Sequence, residues 1–279
     1  MKKLFYIGLS IFLIFGIIGT ILWFTVNHKF EKQESYEKVF KNDKIEQIIV
    51  NGHNTDVEVK KGKHLNVKYD GKDKVNASVE NKLLHFSERD KKLNLSFNFI
   101  PFKKTKNHLI ITLPKKNYDA FNITTNTGNV SVKNVMSDNS NIITGTGNIT
   151  YEKVKMKNAK AMSDLGSIRV SNSSLIKFNG ELDTGNITVD KSKLINSELI
   201  TNLGNINVKR LKNECDIKSS TEDGDITLSY NKPPKNTLLQ LQAESGETKI
   251  TNHAFNGEKV GSGKHVIEGY TVNGDIYVK

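Results

Sequence analysis

The sequence is nearly without cysteine and poor in arginine, and these two scarcities exclude more than any motif in it suggests. Cys215 is the single cysteine, so no intrachain disulfide can form and a zinc centre built from thiolates is ruled out. Arg89, Arg169 and Arg210 are the only arginines among 41 basic residues. Few guanidinium forks leave bidentate reading of bases and phosphates poorly served, so nucleic acid is not an expected partner. The seven histidines form no HExxH motif and no pair at helical spacing, which disfavours a zinc enzyme; His53, His64, His85 and His108 read as surface strand or loop positions. The recurring glycines precede strands, whereas a phosphate loop or dinucleotide fingerprint must open a helix. No metal, no cofactor, no small-molecule substrate and no catalytic residue are therefore expected.

One long apolar run is present, at the start. Residues 4–26 carry no charge and are long enough to cross a ~30 Å hydrocarbon core as a helix. No small-residue cleavage site follows, and no cysteine sits there to take a lipid, so residues 1–26 read as an uncleaved signal-anchor transmembrane helix. Lys2 and Lys3 before the run favour an inside N-terminus, with the bulk of the chain extracytoplasmic. Lys29, Lys32, Lys38 and Lys41 after it weigh the other way on a plain count, a rule that long translocated domains largely escape. Residues 27–44, rich in Lys and Glu, read as a stalk. The formal charge of +11 should draw the exposed part toward anionic surfaces by salt-screened attraction. Anionic envelope polymers such as teichoic acids, or phospholipid headgroups, are the candidates; a solubility charge is the plainer account of the same lysines.

The strongest signal is a repeat. Gly128, Gly147, Gly166, Gly185 and Gly204 are nineteen residues apart, and Gly224, Gly246 and Gly274 follow at longer intervals in the same setting. Two residues after each glycine stands Val130, Ile149, Ile168, Ile187, Ile206, Ile226, Thr248 or Ile276, and four after it another mostly aliphatic residue, with polar side chains between. That is the period-two alternation of a strand with one buried face. A second strand precedes each glycine, with inward positions Phe121, Ile123 and Thr125 in one coil, Ala159, Ala161 and Ser163 in another, and Phe178, Gly180 and Leu182 in a third. Met156, Leu175 and Leu194 fall where they could plug the far corner. A repeated register forces equivalent strands to stack in parallel. The fold class is therefore all-β, a parallel β-solenoid over 121–279, with eight coils at ~4.8 Å making a rod of about 40 Å.

Each glycine is expected to supply a positive φ, and Asn129, Asn148, Asn186 and Asn205 just after it an amide ladder along the stack. Residues 45–120 are strand-like without the period, with segments beginning at Ile45, Thr55, His64, Lys92 and His108, and read as an irregular β cap over the first coil. The 28 residues from Gly246 to Gly274 place an insertion in the last coil.

The stretch LIITLPKKNYDAFNITTNTGNVSV, residues 109–132, and the glycine turns after it resemble a bacterial family of β-strand-repeat envelope proteins, the DUF4097-type family. The resemblance spans about residues 45–279 and implies a membrane segment followed by a solenoid. Family members are described as adhesins on architecture, some are encoded beside envelope-stress regulators, and the family supplies no catalytic residues to carry over.

Parallel β-helices include carbohydrate-active enzymes, so stacked acids need weighing. Asp225 and Glu247 occupy one slot in successive coils, near the ~5 Å carboxylate spacing of a retaining glycosidase, with Glu222 and Asp223 beside them. The slot holds Asn or Ser in earlier coils, so the acids read as variation on a turn consensus. The EDGD run matches neither an EF-hand loop nor a nonapeptide calcium repeat. The favoured expectation is a non-enzymatic, membrane-anchored adhesin or envelope scaffold, contacting an anionic polymer or a membrane protein. A carbohydrate-active β-helix enzyme and a cytoplasmic self-assembling solenoid are the alternatives.

Overall fold

The computed structural model describes residues 2–30, 34–40, 44–88 and 107–279; the expected strand from Lys92, and Arg89, lie outside them. Among the described residues one α-helix is present, Lys2–Phe30. Its segment Phe5–Leu22 has a mean hydropathy of 2.4, is long enough to cross a membrane, and none of it is buried by the rest of the protein. An apolar segment left this exposed is what a lipid-facing or signal helix would require.

The remaining described residues are mostly strand, in one sheet of twelve strands and one of fourteen. Strands that follow the turn glycines form the first: Val130–Lys133, Ile149–Glu152, Ile168–Ser171, Ile187–Asp190, Ile206–Leu211 and Ile226–Tyr230 pair in parallel, each isoleucine or valine beside its equivalent one coil away. Strands that precede them, such as Asn117–Thr127, Met136–Thr146 and Lys155–Leu165, form the second in the same parallel register. Chain connectivity thus runs around the coil while backbone hydrogen bonds run between coils.

The inward residues named from sequence are buried except Thr248, which lies in the end layer and is exposed, and the buried ones complement one another in volume across layers. Phe178 lies beside Ala159 in the register, its ring meets Tyr151 edge-on at 6.2 Å, and Gly180 leaves the space that the Phe178 ring fills. A narrow interior keeps interior-like density this way. Met156, Leu175 and Leu194 pair in register and are buried, which gives the coil a short third side linking the two sheets.

At the entrance to that third side, Asn134, Lys153, Asn172, Lys191 and Arg210 stack in the left-handed region, with φ between 47° and 56°. Asparagine tolerates this conformation and lysine carries no signal for it, so the corner was not legible. Lys153→Val, which places a β-branched residue there, is expected to destabilise the protein by about 1–2 kcal/mol, whereas Lys153→Asn should be neutral or stabilising; the urea midpoint distinguishes them.

Both ends depart from chain order. The layer made by Gln47–Gly52 and Thr55–Lys61 pairs in parallel with Asn117–Thr127 and Val130–Lys133 on one side, and with Leu83–Glu88 and Asn107–Leu113 on the other. The cap expected to be irregular therefore holds two further coils, stacked in an order the chain does not follow. Val75–Glu80, and Leu65–Gly71 with Glu34–Phe40, then close the two sheets by antiparallel pairing. Glu34–Phe40 lies within the stretch read as a stalk, and it is an edge strand. At the other end the final coil, His265–Asn273 with Ile276–Val278, slots between the coil of Gly224 and the coil of Gly246. Ten layers result in place of eight, a rod of about 50 Å.

Candidate functional site

The eight turn glycines, Gly128, Gly147, Gly166, Gly185, Gly204, Gly224, Gly274 and Gly246 in spatial order, form one column along a corner of the rod. Five of them have the expected positive φ; Gly128, Gly147 and Gly246 do not. What all eight share is close approach. A Cβ at any of them would enter the backbone carbonyl of the layer beneath, that of Thr55 for Gly128 and of the preceding glycine for the others. The expectation of a conformational cause is corrected on this point: a steric cause is common to the column, and φ adds to it at some positions.

Buried hydroxyls satisfy the stacked carbonyls. Thr144 Oγ1 donates to Gly128 O at 3.0 Å, Ser163 Oγ to Gly147 O at 3.0 Å, Thr201 Oγ1 to Gly185 O at 3.0 Å and Thr271 Oγ1 to Gly224 O at 2.9 Å. Outside the column runs a second ladder. Asn148 N and Nδ2 donate to Asn129 Oδ1 at 2.9 and 3.0 Å, Ser167 N to Asn148 Oδ1 at 2.9 Å, and Asn205 N to Asn186 Oδ1 at 2.7 Å. Asn148→Ala removes the acceptor for Ser167 N–H, and because the ladder is exposed the expected loss is about 1 kcal/mol in urea unfolding.

The acids of the same slot continue this ladder. Asp225 N donates to Asn205 Oδ1, Asp275 N to Asp225 Oδ1 at 2.9 Å, and Glu247 N to Asp275 Oδ1 at 2.8 Å. Asp275 therefore stands between Asp225 and Glu247, and the pair weighed as neighbouring carboxylates is separated by a full layer. The Tyr277 hydroxyl, at 2.6 Å, and then the Glu247 N–H hold the Asp275 carboxyl below its ordinary range, opposite to what a proton donor to a glycosidic oxygen needs. Asp223 Oδ1 accepts from Asn273 Nδ2 at 2.7 Å. Among the described residues no group of three or more His, Cys, Asp or Glu side chains could hold a metal ion. Cys215 is buried, which pushes its thiol up to about 12.

One polar centre was missed. Glu88 is buried inside the cap and accepts from His53 N, from Thr55 Oγ1, from Asn107 Nδ2 at 3.1 Å and from Tyr69 O–H at 3.4 Å. Burial, then the Glu88 charge, pushes the Tyr69 phenol well above its ordinary range. Asn107 is itself tied to Lys72 N and Asp73 Oδ2. Residues 53–55, 69–73, 88 and 107 are far apart in sequence and share no motif, so nothing in the pattern could have joined them. A shallow, open depression of 460 Å³ lies on the outer face near the C-terminal end, lined in part by Lys218, Gln240, Gln242, Glu258, Glu268 and Tyr270. Its side chains do not converge as a nucleophile and base would.

Residues 45–279 match the family model described as Toastrack DUF4097. The chain belongs to the Toastrack family. No curated protein matches the sequence. Among solved structures, a candidate adhesin from Parabacteroides distasonis aligns with a TM-score of 0.55 at 12% identity, covering 89% of this chain and 97% of that one. A protein from the same organism described as a candidate lipid binding protein gives 0.52 at 15% identity, over 89% and 97%. A candidate adhesin from Bacteroides fragilis gives 0.44 at 15% identity, over 89% and 98%. At these identities the likeness is one of fold. The Toastrack solenoid presents the outward faces of two sheets and the corners that join them.

Proposed function

We propose that this Toastrack chain is a non-enzymatic scaffold of the cell envelope, tethered by its N-terminal helix as a signal anchor, with the solenoid outside the cytoplasm. The observation that carries the reading is a rod whose interior is filled by its own side chains from layer to layer, joined within a few residues to an apolar helix whose Phe5–Leu22 segment is exposed. Such a molecule offers rigid surface and no reaction chamber. The names given to the fold neighbours, candidate adhesin and candidate lipid binding protein, agree with a surface role. Its partners in this reading are an anionic envelope polymer, a membrane protein or the membrane itself. Antiparallel strands across the cap remove the parallel register that end-to-end filament growth would need, which speaks against the self-assembling cytoplasmic alternative.

Protease added to intact cells expressing the full chain tests the topology: the solenoid should be cut or shed from the outside. Full protection until the cells are broken overturns the extracytoplasmic placement. Release of soluble sugar from purified cell wall by the full chain in detergent would overturn the non-enzymatic part and revive the carbohydrate-active alternative.

A further inference from the structure

Charge is segregated across the width of the rod. The eight four-residue glycine turns, from 126–129 to 272–275, carry eight acids and no lysine or arginine. The third side lies at the opposite corner, and its five segments 133–139, 152–158, 171–177, 190–196 and 209–215 carry ten lysines and arginines against four acids. Three of those acids are already occupied by neighbours: Asp138 by Lys157 at 3.0 Å, Asp190 by both ends of the Arg210 fork, and Glu152 by Lys153 at 3.5 Å. The fourth, Glu214, accepts from Lys235 N, Asn236 N and Thr237 Oγ1. Lys155, Lys177, Lys191, Lys193, Lys209 and Lys212 are all exposed and have no carboxylate within ion-pair distance among the described residues.

Apolar side chains stand among these lysines. Ile176 is 38% exposed and stacks on Ile195 in the adjacent layer, while Met136 shares the outward column of Lys155 and Lys193. Ammonium groups around a thin apolar strip match the interface of an anionic bilayer, where lysine heads meet phosphate and short apolar side chains enter the headgroup region. A soluble polyanion would be served by the lysines and gain little from the isoleucines. The ridge also runs along the middle of the rod, away from its ends, so flat contact requires the rod to lie on its side.

We propose that the third side is a membrane-docking face, and that the solenoid lies down on the anionic phospholipid surface of the bilayer holding its own helix. This rests on the anchor reading above. Three residues separate the helix from the first strand, so tethering keeps the face at high effective concentration over that surface. A weak polybasic contact then suffices as the second attachment signal.

The test reconstitutes the full chain into vesicles of phosphatidylcholine alone, or with roughly one third phosphatidylglycerol, washes them with carbonate, and acetylates them with a membrane-impermeant reagent. Lys155 and Lys193 should be protected about fivefold or more over Lys249 in the anionic vesicles only, and the protection should vanish near 1 M salt, where the screening length falls to about 3 Å. With Lys155→Glu and Lys193→Glu together, protection at Lys191 and Lys212 should fall away, while the urea midpoint holds. Equal labelling of inserted chain in both vesicle types overturns the docking face and leaves the anchor standing. Protection that follows protein density instead of lipid charge overturns it in favour of contact between copies. Protection produced by added soluble polyphosphate, and not by phosphatidylglycerol, overturns it in favour of a polymer. A chain that the carbonate wash removes overturns the anchor reading and this one with it.

Discussion

Gly185→Ala is expected to remove about 4 kcal/mol of stability, a loss far larger than helix or strand propensity could produce. The new Cβ would fall within the Gly166 carbonyl, and both partners are backbone, so no side chain can rotate to relieve the contact. Moving the layers apart instead would break the parallel ladder and open the interior on both sides of the coil. At φ of +138° the substitution is strained even before that contact. Because solenoid stability is a sum of layer and interface contributions, the damage should be local. Limited proteolysis should cut the variant near residue 185 while coils on either side persist, and urea unfolding should become broader or biphasic. Gly257→Ala supplies the comparison. That glycine has φ +67° and nothing within 4 Å of its added Cβ, so only the left-handed conformation is penalised, at about 1 kcal/mol. If the two variants unfold at the same urea concentration, close approach is not why the column is glycine.

Glu88→Leu should have the next largest effect, about 3–5 kcal/mol, again read from urea unfolding. Leucine is close in size and would satisfy a purely apolar cap. Here it would remove the acceptor that His53 N–H, Thr55 O–H and one Asn107 N–H share, and a buried donor deprived of its acceptor costs its hydration. The acceptor ends Leu83–Glu88, while the donors sit at the turn before Thr55–Lys61, at Thr55 and at the start of Asn107–Leu113, so the contacts join two adjacent layers. The carboxylate is thus a clamp across the cap, and its loss should expose the cap to protease before the central coils. A variant as stable as the parent would mean that water reaches these donors readily.

How much of this was legible depends on whether a feature repeats. Period two around Ile149, Ile168 and Ile187 gave the sheet, its parallel register and its buried face, because each position met the same demand in every coil. The Asn129, Asn148, Asn186 and Asn205 ladder was legible for the same reason. The left-handed corner was not, since Lys153 and Lys191 are chosen there by solvent exposure as much as by backbone. The spacing of Asp225 and Glu247 was not legible, because Asp275 stands between them in space though not in sequence.

By itself the sequence determined the unit: two strands, a glycine that admits the carbonyl of the next layer, an alternating interior, and an apolar helix ahead of them. Tertiary structure alone decided the order in which the units stack, the clamp at Glu88 and the division of charge between the two corners. The physical reason is that layers so alike offer one another nearly the same backbone ladder and core face, so the pairing surfaces do not specify which layer goes next to which. Connection length does. Extra chain between Thr55–Lys61 and Leu83–Glu88, and the insertion after Ile250, each carry the chain back by one layer, with residues 114–116 and 231–236 making the step past a layer, whereas the nineteen-residue coils between them can only follow in turn.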